Sequence, residues 1–270
     1  MSWLEAIILA IVQGLTEFLP VSSSGHLALS QALMKIETGG VFYDVLLHVA
    51  TMLSVVVVFR RELLALLDAR LPGEDGAQAR KVVLLIVASF IPTGIIGLSL
   101  RGLATTAFDR PAWVGAGLLF TSIALLAVAR RTGDEAADGG TALADLATLS
   151  PLQATLIGVA QGCAVWPGIS RSGSTIACAL GLGVAPKTAA RFSLMISLPV
   201  IAAGFLLEAL KLEGLPATWP AQALGAVVAF GVGLLAIRWL LAAVRGRPQL
   251  LAYAAYTAIL GSLAIFLGSR

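Results

Sequence analysis

A carboxylate, a guanidinium, an imidazole and a row of hydroxyls stand in two short segments of this chain that resemble each other. The first runs Gln13-Gly14-Leu15-Thr16-Glu17-Phe18-Leu19-Pro20-Val21-Ser22-Ser23-Ser24-Gly25-His26, and the second Gln161-Gly162-Cys163-Ala164-Val165-Trp166-Pro167-Gly168-Ile169-Ser170-Arg171-Ser172-Gly173-Ser174. Each reads Gln-Gly, a few apolar residues, proline, then a Ser/Gly-rich turn. Aligned at Ser-x-Ser-Gly, one copy offers His26 and the other Arg171. Gln13 and Glu17 are four apart and share a helix face. In an apolar setting Glu17 must face the interior and a partner. Three chemistries suit it: an oxygen ligand for a divalent cation such as Mg²⁺ or Ca²⁺, with Gln13 adding a neutral oxygen; a general base; or a structural ion pair with Arg171.

Ser22, Ser23, Ser24 and Gly25 precede an apolar run, so they cap a helix N-terminus, where free amides and the dipole favour anions. Ser170, Ser172, Gly173, Ser174 and Thr175 repeat that arrangement. Arg171 is costly inside an apolar protein unless paired, and its planar fork matches phosphate. His26, in the first turn of the capped helix, suits proton transfer or nucleophilic attack beside a phosphate, or is itself a capping or core residue. Asp44 and His48 are again four apart and either support the site or only make a helix end polar. Glu208, Lys211 and Glu213 read as a solvated helix end, and Arg60, Arg61 and Glu62 as interfacial anchors. Cys163 and Cys178 read as small apolar residues in packed helices, because no other soft ligand accompanies them.

The elements that must hold these groups are apolar. Of 270 residues, 58% are hydrophobic and 12% charged, against about 25% charge in ordinary soluble domains. The composition is that of a polytopic membrane protein. A dispersed net charge of +3 excludes a nucleic-acid-binding surface. Spans of the length a bilayer requires fall at 42–59, 82–100, 111–129, 189–208, 220–240 and 249–268. Shorter apolar pieces at 3–19 and 23–34, and at 151–166 and 173–184, flank the two motifs with Pro20 or Pro167 at the break. Both pairs therefore read as re-entrant helical hairpins. Ser150 and Pro151 give the third of these pieces a strong start signal.

The order is hairpin and three spans, twice. An odd number of spans inverts the second half, which predicts an all-α inverted-topology repeat with the site where the repeats meet. Repeat one is 1–131, the linker 132–149 reads as a solvated loop, and repeat two is 150–270, all within a single membrane domain. The linker onset is Gly- and Asp-rich. One set of loops holds Arg60, Arg61, Arg70, Arg80, Lys81, Arg130, Arg131, Lys187, Arg191, Arg238, Arg245 and Arg247, and the other Lys35, Arg101, Arg110, Lys211 and Arg270. Apart from Arg171 that is 12 against 5 of the 18 basic residues. The positive-inside bias places the first set in the cytoplasm and both termini outside. Membrane lipids are then the protein's surroundings on every side of the bundle.

Taken together, the Gln13–Pro20 stretch, Ser22-Ser23-Ser24-Gly25-His26 and Pro167-Gly168-Ile169-Ser170-Arg171-Ser172-Gly173 resemble the bacitracin-resistance type of undecaprenyl-diphosphate phosphatase, from about residue 3 to the C-terminus. The family pattern allows Glu or Gln at its first acidic position, and Gln13 here shifts the carboxylate work to Glu17. The resemblance implies six spanning helices plus two re-entrant hairpins, in the bacterial plasma (inner) membrane, with an active site opening to the periplasm. It implies hydrolysis of undecaprenyl diphosphate to undecaprenyl phosphate and inorganic phosphate, recycling the cell-wall lipid carrier, with a divalent cation assisting. Glu17, Ser23, His26 and Arg171 match residues assigned to catalysis. The nucleophile stays open among Ser23, His26 and an activated water, Ser23 ranking first with His26 close enough to activate it. The expected partner is a polyprenyl diphosphate lipid; a homodimer is compatible. A carrier of undecaprenyl phosphate is the competing class, since broken helices in inverted repeats serve transport too. The other lipid phosphatase superfamily is excluded: it requires a histidine downstream of Ser-Arg, and His26 and His48 are the only two.

Overall fold

The computed structural model describes residues 1–36, 41–129, 142–210, 216–243 and 247–268. Among the described residues there is no strand. The first motif lies between α1 (Trp3–Thr16) and α2 (Ser23–Leu33), and the second between α8 (Pro151–Cys163) and α9 (Arg171–Gly181). Between them come α3 (Val41–Val58), α4 (Arg60–Ala65) with a 3₁₀ turn (Leu66–Arg70), α5 (Glu74–Phe108), α6 (Pro111–Ala129) and α7 (Ala142–Ala147). After them come α10 (Pro186–Ala209), α11 (Trp219–Ala243) and α12 (Arg247–Gly268). Local chemistry sets the starts of the hairpins: Ser2 with Glu5 and Ser150 with Gln153 each form a reciprocal capping box.

α5, α6, α10, α11 and α12 are long and apolar enough to cross a bilayer. α3 makes a sixth if it and its continuation through Arg70, bent by 74°, count as one span. Ile95, Ile123, Val227 and Ile259 stand exposed on these helices, an arrangement that suits hydrocarbon. α5 outruns the expected 82–100 at both ends: Glu74 and Asp75 favour its N-terminus, and Arg80 donates to the carbonyls of Ala69 and Leu71.

Two expectations fail in detail. The end of the linker is no solvated loop, because residues 142–147 are helical, Leu146 and Leu149 are buried, and Arg191 donates to Asp145 at 3.1 Å. Apolar side chains at Leu143, Leu146 and Leu149 give this short piece a buried face. Glu208 is no free helix end either, since its carboxylate pairs with Arg101 of α5. The start of the linker, with Arg130 and Arg131, and also Lys211, Glu213, Arg245 and Arg270, lie outside the described residues.

Each hairpin leans on a helix from the other half of the chain. A Cβ at Gly14 would stand 2.7 Å from that of Val232 in α11, and one at Gly225 would stand 3.2 Å from the Ala6 carbonyl. α1 and α11 therefore run parallel in close contact. On the other side a Cβ at Gly162 would stand 2.8 Å from that of Ile96 in α5, and one at Gly158 would meet Ser89. α8 and α5 are parallel too. α6 and α12 run antiparallel, with Gly115 against Gly261 and Gly268 against Ala112. The Gly of each Gln-Gly pair is thus required by close helix approach.

Candidate active site

The hairpin tips touch. A Cβ on Gly25 would lie 3.2 Å from the Gly168 Cα, and the Ser172 hydroxyl donates to the Leu19 carbonyl at 2.8 Å. The second tip is also seated on α6, where Gly117 faces the Pro167 carbonyl and the Thr121 hydroxyl accepts from Ser170 N at 2.8 Å. Gly168 adopts φ +89 within van der Waals reach of Val114, a conformation that favours glycine.

Glu17 is the hub of this junction. The residue is 5% exposed, and its carboxylate accepts from donors on both hairpins. Ser23 Oγ donates to Oε2 at 2.6 Å and Gln13 Nε2 to the same oxygen at 2.9 Å. Arg171 Nη2 donates to Oε1 at 2.9 Å. His48 of α3 brings Nε2 to 3.5 Å of Oε2. Its Nδ1 donates to the Asp44 carbonyl at 2.7 Å, which fixes the ring so that Nε2 faces Glu17. Asp44 Oδ1 in turn accepts from Gln31 Nε2 at 2.7 Å. Of the two roles open to Asp44 and His48, the geometry gives them the one next to the site. A buried carboxylate is tolerable only when paired and fully hydrogen-bonded, and this one is both.

The caps form as the Ser/Gly turns predict. Ser22 Oγ accepts from Gly25 N at 3.2 Å, and Ser170 Oγ from Gly173 N at 3.0 Å. Ser22 does so at φ 69, a left-handed conformation that costs a non-glycine residue roughly 1–2 kcal/mol. Ser24 lies 3.3 Å from the Ser22 hydroxyl. Thr175 donates to the Arg171 carbonyl at 2.8 Å and lies 2.6 Å from the Ser193 hydroxyl. Ser174 Oγ is buried with no hydrogen-bond partner.

His26 is placed differently from expectation. Its Nδ1 donates to the Ser22 carbonyl at 2.7 Å, and its Nε2 is 2.7 Å from the Tyr256 hydroxyl of α12. The two rings also stack, 5.6 Å apart with an interplanar angle of 11°. Among the described residues His26 makes no hydrogen bond to Ser23; the hydroxyl of Ser23 is engaged by Glu17 instead. Tyr256, Thr121 and Ser193 complete the site beside His48, and nothing local in the sequence ties those three to the motifs.

Two cavities reach this junction, and His48 and Val45 line both. One, of about 510 Å³, runs between α5 and α10 from Arg171 to the Arg101–Glu208 pair and is almost wholly apolar. The other, of about 690 Å³, has Gln31, Asp44, Thr105 and Asp109 in its wall.

Helices of this length and apolarity around a buried, charged junction define a multi-pass membrane protein with an interior polar site. The family model described as Bacitracin resistance protein BacA matches residues 6–263, and the chain belongs to that family. The chain is 41% identical to the undecaprenyl-diphosphatase of Syntrophotalea carbinolica, with 97% of this chain and 98% of that protein covered. It is 41% identical to the undecaprenyl-diphosphatase of Desulfosudis oleivorans, over 99% of each. With the protein of the same name from Korarchaeum cryptofilum it shares 35% identity over 95% of this chain and 96% of that one.

Proposed function

We propose that this chain hydrolyses undecaprenyl diphosphate to undecaprenyl phosphate and inorganic phosphate. The observation that carries the proposal is the Glu17 carboxylate, held between a serine hydroxyl from one hairpin and a guanidinium from the other. Phosphoryl transfer asks mainly for positioning and charge stabilisation. Ser23 is the nucleophile: its Oγ forms a bond to the terminal phosphorus while the bond from that phosphorus to the bridging oxygen breaks. The Ser23 proton passes to Glu17, 2.6 Å away. Undecaprenyl phosphate leaves; water then attacks the phosphoserine, the bond from phosphorus to Ser23 Oγ breaks, Glu17 returns its proton to that oxygen, and inorganic phosphate leaves carrying the hydrogens of the water. Arg171 supplies the fixed positive charge for the phosphoryl oxygens. His26, held between the Ser22 carbonyl and the Tyr256 hydroxyl, flanks the first turn of the capped helix and fixes its position beside the phosphate.

A divalent cation belongs to the proposal. The donor set fits a hard ion that takes one carboxylate and completes its shell with water and substrate phosphate: Glu17 is that carboxylate, and Gln13 Oε1 is a buried oxygen without a partner. Among the described residues no group of three or more His, Cys, Asp and Glu side chains stands together, so the ion would depend on the substrate for its other ligands. When bound, it would neutralise diphosphate charge.

The architecture proposed is six spans and two re-entrant hairpins in an inverted repeat. Its support is the reciprocal seating of α1 on α11 and α8 on α5. The site opens to the periplasmic face of the plasma membrane, an orientation supported by the excess of basic residues on the opposite loops and by the second tip reaching Trp113, early in α6. A homodimer is retained as the oligomeric state to be measured. The test is purified protein in detergent with the lipid diphosphate: phosphate should appear in equal amount with lipid monophosphate, and binding without release would sink the proposal.

A further inference from the structure

The apolar cavity is floored by glycines that packing does not require. Gly94, Gly97 and Gly204 line it, and a Cβ on any of them would meet nothing within 4 Å. They contrast with Gly14, Gly158 and Gly162, where helix contact forbids a side chain. A glycine inside a helix costs roughly 0.5–1 kcal/mol relative to alanine, so three open ones along a single cavity keep space clear. One end of that space is at Arg171 and His48, beside Gln161, which is 3% exposed with a buried Oε1 lacking any partner. The other end is the Arg101–Glu208 pair, which ties α5 to α10. Thr93 and Arg101 are eight residues apart on α5, about 12 Å along the axis. Phe90, Leu98, Val200 and Phe205 fill the walls between.

Resting on the hydrolase reading above, we propose that this α5–α10 cleft takes the first isoprenoid units of the substrate tail, with Gly94, Gly97 and Gly204 as its floor. The cavity is continuous with the guanidinium that faces the diphosphate, and its lining matches a branched hydrocarbon. At about 510 Å³ it holds only the beginning of a fifty-five-carbon chain. The Arg101–Glu208 pair closes the far end, so the rest of the tail leaves sideways between α5 and α10 into the bilayer.

The open space makes a clean test available, since larger side chains fill the cleft without a clash. Gly97→Leu and Gly204→Leu should fold with an unchanged melting temperature and raise KM for undecaprenyl diphosphate by roughly 10–200-fold, the range for altered fit in an apolar pocket. Hydrolysis of methyl diphosphate, which brings no isoprenoid unit to the cleft, should be unchanged. Gly231→Leu, at a glycine equally open but outside the cavity, should leave both substrates untouched. Unaltered KM in the folded cleft variants, or equal loss on both substrates, overturns the proposal. A lipid diphosphate carrying a photoreactive group on its second isoprene reads the cleft without turnover: labelling within α5 or α10 supports the proposal, and labelling elsewhere overturns it. Wild-type protein that is labelled there yet releases no phosphate would break the hydrolase reading and leave the cleft assignment standing.

Discussion

Position by position, the two hairpins set one backbone device around different side chains. Ser22 and Ser170 each cap a helix through the glycine N–H three residues on, at 3.2 and 3.0 Å. Each hydroxyl lies near the serine two residues further, at 3.3 and 3.2 Å. Gln13 and Gln161 are both buried, each with an unpartnered Oε1. The reactive positions diverge: Val165 stands where the first copy has Glu17, Arg171 where it has Ser23, and Ser174 where it has His26. The second copy carries no carboxylate of its own. Instead one tip supplies the acid and its hydroxyl, the other the cation, so neither half is complete. Strain is placed differently as well. The second hairpin puts its positive φ on Gly168, whereas the first has Pro20 at that position and puts it on Ser22, beside the proposed nucleophile.

The largest expected effect breaks the asymmetry at its centre. Glu17→Gln keeps the shape and removes the charge that orders Ser23 and Arg171, so the phosphate-release rate should fall by about 10²–10⁴-fold. Adding Val165→Glu to that variant should not restore it, because no equivalent of Ser23 faces position 165. Arg171→Ala should cost about 10²–10³-fold in kcat/KM, and Arg171→Lys should recover only part of it, lacking the planar fork. A wild-type rate in Arg171→Ala would remove the second hairpin from the chemistry, and one in Arg171→Lys would show that charge alone suffices.

Smaller changes sharpen the scaffold side. Gly168→Ala combines a left-handed φ, worth about 1–3 kcal/mol, with a close approach to Val114; it should lower the melting temperature of the purified protein distinctly. The caps come last. Ser170→Ala should cost about 0.5–2 kcal/mol by denaturant titration. Ser22→Gly should be nearly neutral in stability, since glycine loses the cap and relieves the φ; a large loss there would mean that the left-handed turn is not strained.

What was legible in the chain follows from how far each feature reaches. Caps, broken helices and apolar spans are local, and Ser22, Ser170, Pro20 and Pro167 announce them over four or five residues. The opposed pair Glu17 and Arg171 was legible for another reason: ions stranded in apolar sequence need each other. Which hydroxyl or ring touches the carboxylate was not. Ser23 and His26 are three apart on one capped turn, and only the tertiary course of the turn gives Ser23 to Glu17 and His26 to Tyr256. The same holds for Thr121, whose contact to Ser170 spans forty-nine residues. The helical end of the linker was missed because six residues carry too little periodicity to outweigh the polar stretch before them.

The parallel seating of each first hairpin helix on the opposite half also sets a clock on biosynthesis. α8 emerges from the ribosome when α5 is already made, so the second hairpin finds its support waiting. α1 comes first, yet Val232, against which Gly14 packs, is 218 residues later (232 − 14). At about 5–20 residues per second that is a delay of roughly 10–45 s, during which Glu17 lacks its resting place and, until residue 171 is made, lacks Arg171 too. The amino-terminal hairpin is therefore the last piece to be settled, and the newborn chain must shelter a charged turn at the membrane until its tail arrives.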